Sequence, residues 1–278
     1  MSFRKPLLAA NWKMAQENWA GVSAFLDSLQ KLPKETFADI DTVICPSYFH
    51  LGAILSAQSA IGNRQSAIRW GSQDIHYEKK GAYTGCVSAA ELADLGVRYA
   101  ILGHSERRRY FKESSDVLGK KLALAYENKL IPIFCVGETK EEREQNKTFQ
   151  VLEHQLAETL SAAREKITHP EKLVVAYEPV WAIGTGLIAT AEQAQEVHAF
   201  IRQWLAKNFG PSMAAGIRIL YGGSVTPDNF ESVAQKPDVD GGLVGGASLK
   251  PDSFFKLLEI LKNAKFLGNH QSQITNRK

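Results

Sequence analysis

The feature that most constrains the fold of this chain is a regular alternation of short apolar runs with segments of helical spacing. The runs are Leu7–Trp12, Thr42–Cys45, Ile68–Gln73, Tyr99–Gly103, Ile131–Val136, Leu173–Tyr177, Ile217–Tyr221 and Gly242–Val244. Such short, mostly apolar runs are typical of parallel strands that are buried on both faces. The sequence therefore predicts eight strands of this kind.

The segments between the runs predict helices that cover the strands. Apolar residues fall on one helical face in several of them, for example Val22, Phe25 and Leu29. Two helices are predicted to begin with a capping box, Ser88 with Glu91 and Thr190 with Gln193. Alternating strands and helices build a parallel sheet, and eight such units close into a (β/α)8 barrel with an outer ring of helices.

The competing architecture is an open, doubly wound α/β sheet. That fold usually has fewer strands and places a nucleotide fingerprint near the N-terminus. No linker or break in composition divides the sequence, so we predict an α/β fold with one barrel domain over residues 1–265. Residues 266–278 are polar and without periodicity, which predicts a loosely ordered tail.

Composition and charge limit the classes of partner. The formal net charge of +3 is too small and too dispersed to indicate a nucleic-acid-binding protein. No apolar run reaches the roughly 20 residues that cross a membrane. Three cysteines without a CxxC spacing indicate neither a disulfide framework nor a zinc site, and they favour a cytoplasmic location. The charged run from Glu138 to Glu144 predicts a solvated helix face.

Polar residues follow two of the early strands, where a barrel places its chemistry. Asn11 and Lys13 come after the first run. Lys13 is either an ordinary surface lysine or a fixed cation for an anionic substrate. After the fourth run come His104, Glu106 and a pair of arginines. These charged groups can pair with one another and leave His104 free to face the pocket, where it can donate a hydrogen bond to a carbonyl. The alternative is an ordinary surface ion-pair cluster.

The sixth run ends at a carboxylate, Glu178, that follows four apolar residues and Tyr177. Apolar surroundings predict a raised pKa, which suits a general base near neutral pH. The segment after it, Pro179–Gly186, combines stiff residues with two glycines. This composition suits a lid that closes as one body, although a long surface loop is the simpler alternative.

Glycine pairs follow the last two runs, Gly222–Gly223 and Gly245–Gly246. Either pair alone is a common turn. Phosphate sites in barrels are frequently built from the loops after strands seven and eight, where glycine lets backbone N–H groups approach the phosphate. The two pairs together therefore predict a phosphorylated substrate.

Taken together, these segments resemble the triosephosphate isomerase family. The resemblance rests on Asn11–Met14, Gly81–Gly85, Gly103–Arg108, Tyr177–Gly186, Tyr221–Ser224 and Leu243–Lys250, in family order. It implies a single-domain TIM barrel, that is, a (β/α)8 barrel. It also implies an isomerase of glycolysis and gluconeogenesis that interconverts dihydroxyacetone phosphate and D-glyceraldehyde 3-phosphate with no cofactor and no metal.

The resemblance also implies roles for the polar residues. Glu178 is expected to be the base that moves a proton between two substrate carbons. His104 is expected to polarise the carbonyl as a neutral imidazole. Lys13 is expected to act as an electrostatic partner of the substrate, with Asn11 helping to place it and Glu106 orienting it.

The family resemblance also implies which residues bind the substrate phosphate and which loop contacts a second subunit. Gly184, Ser224, Gly245 and Gly246 are expected to bind the phosphate through backbone N–H groups. A homodimer is expected, in which the loop Gly81–Cys86, with Thr84, inserts into the partner.

Position 86 departs from the pattern of the family. It is a cysteine where many members have an acid, so an ion pair of that position with Arg107 is in doubt. The residues themselves leave two alternatives open: another phosphosugar-binding barrel, either an isomerase or a lyase, and a non-catalytic homologue that acts as a binding protein. The first would share the glycine loops but would not need Glu178 and His104 together. The second would be expected to have lost Lys13, His104 or Glu178.

Overall fold

Eight parallel strands close into a barrel in the computed structural model, which describes residues 4–61, 68–184 and 187–275. Side chains are described for the same residues except 34, 58–61 and 266–275. The strands are β1 (Leu7–Asn11), β2 (Asp41–Cys45), β3 (Ile68–Ser72), β4 (Tyr99–Leu102), β5 (Ile131–Val136), β6 (Val174–Tyr177), β7 (Arg218–Tyr221) and β8 (Gly241–Val244). They follow one another around the barrel in chain order, and β1 pairs with both β2 and β8. The predicted fold class is therefore confirmed.

The α-helices of the described chain follow the strands, and α11 comes after the last of them. They are α1 (Trp19–Gln30), α2 (Tyr48–Ile61), α3 (Ala89–Asp94), α4 (Ser105–Phe111), α5 (Ser115–Glu127), α6 (Lys140–Glu144), α7 (Thr148–Ala162), α8 (Ala191–Phe209), α9 (Pro211–Gly216), α10 (Phe230–Ala234) and α11 (Pro251–Thr275). Both predicted capping boxes are present, at the starts of α3 and α8. A third, unpredicted box opens α6, where Thr139 pairs with Glu142.

The predicted strand boundaries agree with the structure to within one residue at each end. Alternate residues of each strand point to opposite sides, so Leu7 and Ala9 face the barrel interior while Leu8 and Ala10 face the helices. Both sides of each strand are buried, so both are apolar. The sequence of a strand is therefore a continuous apolar run, without alternation of apolar and polar residues.

Two apolar cores result from this alternation. The smaller one fills the barrel with side chains such as Val43, Ile101, Ile133 and Leu220. The larger one lies between the strands and the helices. Side chains fill the barrel interior, so the barrel is not a pore. Polar groups at the carboxyl ends of the strands therefore lie on top of a packed core.

The last helix, α11, extends the backbone description to Thr275. This is beyond residue 265, where the sequence predicts the barrel domain to end. The division into a barrel over residues 1–265 and a loosely ordered tail over residues 266–278 stays a prediction.

Candidate active site

One cavity of about 470 Å³ lies at the carboxyl ends of the strands, and it gathers every predicted site residue. Its lining includes Asn11, Lys13, His104, Glu106, Glu178, Gly184, Ser224, Gly245 and Gly246. Residues from the ends of β1, β4, β6, β7 and β8 meet here because parallel strands in a closed barrel end at the same face.

Glu178 directly follows β6 and is almost fully buried at 2% exposure. Its backbone N–H donates to the carbonyl of Val136 at 2.8 Å, which continues the pairing of β6 with β5. Two glycines leave space for it: a Cβ on Gly137 would lie 1.8 Å from the carbonyl oxygen of Glu178, and one on Gly222 would lie 3.0 Å from its Cγ. The neighbouring loops therefore require glycine where they pack against this residue.

The carboxylate of Glu178 has two neighbours on the loop after β4. Nε2 of His104 lies 2.9 Å from Oε1, and the backbone N–H of Ser105 donates to Oε2 at 2.9 Å. The Ser105 hydroxyl donates a longer hydrogen bond of 3.4 Å. Ser105 was not predicted as a site residue, although it lies inside the Gly103–Arg108 motif that drew attention to His104.

These contacts decide the pKa of Glu178. Burial raises the pKa, but the His104 imidazole and the Ser105 N–H lower it by more, so the pKa lies below its ordinary value. The predicted rise is wrong, because the sequence shows the apolar residues before Glu178 but not the imidazole opposite it. For His104, burial lowers the pKa, while the Glu178 carboxylate raises it by more, so the pKa lies above its ordinary value.

His104 caps the N-terminus of α4 through its other ring nitrogen. Nδ1 accepts a hydrogen bond of 3.3 Å from the backbone N–H of Glu106. A nitrogen that accepts a hydrogen bond carries no proton, so this contact places the proton of the neutral ring on Nε2. Nε2–H then donates to Glu178 and points into the cavity.

Lys13 follows β1 by two residues and lines the same cavity. Its backbone has a φ of 50°, which is uncommon for a residue other than glycine, and the Asn11 side chain accepts from its N–H at 3.0 Å. The Gln73 side chain donates to its carbonyl at 2.8 Å. Nζ contacts Oε1 of Glu106 at 2.6 Å.

The two arginines after Glu106 do not pair with Glu106 or His104, although the sequence allowed such pairing. Arg107 contacts Asp74 at 2.9 Å and Glu113 at 2.7 Å. Arg108 donates to the carbonyls of Gly103 and Cys135, at 2.9 Å and 3.1 Å. His104 is nevertheless turned toward the cavity, because its capping hydrogen bond and Glu178 hold it there.

The glycine-rich loops form another part of the cavity wall. The turn Gly246–Ser248 follows β8, and the Ser248 hydroxyl folds back onto the carbonyls of Val244 and Gly245. A Cβ on Gly245 would lie 3.5 Å from Cε of Lys13, so this loop is adjacent to the ammonium group. Part of the predicted lid, residues 185–186, lies outside the described residues.

The prediction of a solvated helix face over residues 138–144 is wrong for Glu138. It comes before α6, two residues after the end of β5, and is fully buried. Its Oε1 accepts from the Tyr177 hydroxyl at 3.0 Å and from the Trp181 indole at 2.9 Å, and it pairs with Arg143 at 3.0 Å. Its position just after a strand end is the sequence signal that could have identified it as a residue that contacts the segment after β6.

The loop Gly81–Cys86 projects from the barrel face, and Thr84 and Cys86 are exposed. Within the loop, the Tyr83 ring packs against that of His76 in a tilted arrangement, with the ring centroids 4.4 Å apart. The charge of Arg107 is balanced inside its own chain by Asp74 and Glu113, so it has ion-pair partners without an acid at position 86.

Metal binding and membrane insertion each require features that can be looked for in the described residues. Among residues 4–61, 68–184 and 187–275, no group of three His, Cys, Asp or Glu side chains is placed to hold a metal ion. Over the same residues, every helix is too short or too polar to span a membrane.

The chain is similar in sequence to proteins of one family. The sequence model of the triosephosphate isomerase family matches residues 6–261. The triosephosphate isomerase of Carboxydothermus hydrogenoformans is 46% identical over 259 residues, covering 92% of this chain and 98% of that protein. That of Moorella thermoacetica is 49% identical over 251 residues, covering 90% of this chain and 96% of its own length. That of Magnetococcus marinus is 43% identical, covering 93% and 99%.

Proposed function

The chain belongs to the triosephosphate isomerase family, and we propose that Glu178, His104 and Lys13 carry out that family's proton transfer. The chain is an isomerase that interconverts dihydroxyacetone phosphate and D-glyceraldehyde 3-phosphate. One observation carries the assignment of residues: the carboxylate of Glu178 and Nε2 of His104 lie 2.9 Å apart in the cavity that Lys13 and the glycine loops also line.

Glu178 acts as the base. It removes a proton from the carbon next to the substrate carbonyl and returns it to the neighbouring carbon. Its lowered pKa keeps it ionised at neutral pH, as a base must be. The carbon that loses this proton is oxidised from an alcohol to a carbonyl, while its neighbour is reduced from a carbonyl to an alcohol, and the hydroxyl proton passes to the other oxygen. The two changes balance, so the isomerisation needs no external oxidant or reductant.

His104 and Lys13 stabilise the negative charge that forms on the substrate oxygens. Nε2–H donates to the carbonyl oxygen as this becomes the oxygen of an enediolate. A substrate that separates His104 from Glu178 removes the cause of the raised imidazole pKa, and the N–H of Glu106 then favours the neutral ring. Asn11 and Glu106 act by holding Lys13.

The phosphate group is bound by backbone N–H groups of Gly184, Ser224, Gly245 and Gly246. Glycine presents these donors without a Cβ that would keep the phosphate away. The lid, Pro179–Gly186, covers the bound substrate and excludes water, which would otherwise favour loss of phosphate from the enediolate. The hydrogen bond of Trp181 to Glu138 supports a fixed starting position for that movement.

The protein is a homodimer in this proposal. Large apolar side chains near the barrel mouth are exposed in the single chain, among them Met14 at 96% and Phe49 at 82%. The loop Gly81–Cys86 of a second copy, with Thr84 at its exposed tip, would cover such a surface. A cytoplasmic location stays a prediction.

A coupled assay tests the function. The protein should convert D-glyceraldehyde 3-phosphate to dihydroxyacetone phosphate in the presence of a chelator and without nucleotide. A panel of larger phosphosugars, offered under the same conditions, should not react. Turnover of a larger phosphosugar with none of the triose would favour the alternative barrel enzymes, and no turnover of any would favour a binding protein.

A further inference from the structure

The cavity contains a cation that the proton transfer does not use. Arg109 lies in the last turn of α4 and is exposed, yet it is part of the cavity lining. Its guanidinium carbon lies 5.2 Å from the centroid of the Tyr110 ring, which also lines the cavity. In the described part of the chain, Arg109 forms no ion pair with a carboxylate.

Arg109 decides the net charge of the cavity. With the His104 ring in the neutral form, two cations line the cavity, Lys13 and Arg109, and two carboxylates, Glu106 and Glu178. Nζ of Lys13 pairs with the Glu106 carboxylate at 2.6 Å, so a ligand farther away meets little of the positive charge of Lys13. Without Arg109 the lining would therefore be net negative and would repel the phosphate of the substrate, which has a charge near −2 at neutral pH.

We propose that Arg109 draws the anionic substrate into the cavity mouth and increases the rate of its association, with no part in the proton transfer. The inference rests on the proposed site residues, because it needs Glu178 to be ionised in the free protein. A cleft with a favourable field raises the local concentration of a charged ligand and its association rate. Arg109 supplies that field at the entrance.

The position of Arg109 suits association better than catalysis. The reacting groups, Glu178 and His104, are buried, whereas Arg109 is exposed at the mouth. The Tyr110 ring supports the guanidinium through a cation–π contact and leaves its N–H groups free for an incoming anion. Solvent and salt reach the same place, so the attraction should weaken within about 10 Å at 0.1 M ionic strength.

The test compares Arg109→Gln with a matched control, Arg164→Gln. Arg164 is also exposed and lies over an aromatic ring, 5.5 Å from the centroid of Phe209, but it precedes β6 and so belongs to the other end of the barrel. Both variants change the net charge equally. Arg109→Lys keeps the charge, and Arg109→Glu reverses it.

In low salt we expect kcat/KM of Arg109→Gln to fall roughly threefold and that of Arg109→Glu roughly tenfold, with kcat unchanged. The differences should largely disappear at about 0.5 M salt, where surface charges are screened. Arg109→Lys and Arg164→Gln should match the wild type. Inhibition by inorganic phosphate should weaken in the same order.

Two results would overturn the inference. One is equal kcat/KM for Arg109→Gln and Arg164→Gln in low salt. The other is a loss that appears in kcat or does not depend on salt, which would indicate direct contact with the reacting groups or with a second subunit; size-exclusion chromatography of each variant separates these two. A wild-type protein that does not isomerise the triose phosphate would instead refute the proposed function.

Discussion

The two ends of the barrel both carry charged residues but use them differently. At the amino ends of the strands, Arg218 of β7 pairs with Asp41 of β2 at 2.6 Å, and Asp240, just before β8, accepts from Arg4 and Arg202 at 2.6 Å and 2.7 Å. Asp240 also accepts from the backbone N–H of Ile219 at 2.8 Å. Each of these charges has partners of opposite sign, as a structural ion network requires.

At the carboxyl ends, the buried carboxylate of Glu178 contacts an imidazole and a serine in place of guanidinium groups. This arrangement differs from that at the amino ends, where each carboxylate pairs with at least one guanidinium group. It leaves a carboxylate whose partner can be displaced by a substrate. The contrast indicates that the amino end holds the barrel together and that the carboxyl end is kept available for chemistry.

The largest effect should come from the carboxyl end. Glu178→Gln keeps the size of the side chain and removes the base, so kcat should fall by at least about 10²–10⁴-fold. The thermal unfolding midpoint should stay near that of the wild type, since the amide oxygen of the introduced glutamine can still accept from the N–H of Ser105. Steady-state kinetics and a melting curve on the same preparation check both, and wild-type turnover would exclude Glu178 as the base.

The matching change at the amino end should act on stability. Asp240→Ala leaves Arg4 and Arg202 without their shared carboxylate, and loss of one partner of a buried pair costs about 3–5 kcal/mol. Urea unfolding measures the loss, while kcat per folded molecule should be unchanged. Asp116→Ala, in the exposed pair with Lys120, is the control and should leave the unfolding midpoint where it is. A kinetic defect in Asp240→Ala without a stability defect would contradict the division between the two ends.

The coupling of His104 with Glu178 predicts a shift in pH dependence. His104→Asn removes the group that lowers the pKa of Glu178, and the burial that raises it remains. The acid limb of kcat/KM should therefore move to higher pH, while kcat falls by about 10²–10³-fold with the loss of a hydrogen-bond donor. The pH profile of the residual activity checks the sign. An acid limb that stays in place or moves to lower pH would show that His104 does not set the pKa of Glu178.

A smaller effect is expected in the glycine loops. Gly245→Val would crowd Lys13 and cover a backbone donor, so KM should rise on the order of tenfold, the cost of about one hydrogen bond to a charged group. Gly52→Val is the control, because a Cβ there meets nothing within 4 Å. An unaltered KM in Gly245→Val would remove this loop from the phosphate site.

The sequence by itself determined the barrel fold and which polar residues line the cavity. Both faces of a barrel strand are buried, so each strand appears in the sequence as a short, continuous apolar run. This pattern can be recognised without coordinates. The residues just after each run then share one face of the molecule, so Lys13, His104 and Glu178 could be brought together without coordinates.

Only the tertiary structure decided the partners of those residues. The direction of the pKa shift of Glu178, the ion pairs of Arg107 and the burial of Glu138 all depend on groups from other strands. The exposure of Arg109 at the mouth is of the same kind. A sequence pattern reports the average environment along one element, whereas a pKa or an ion pair depends on single atoms that barrel closure brings within about 3 Å.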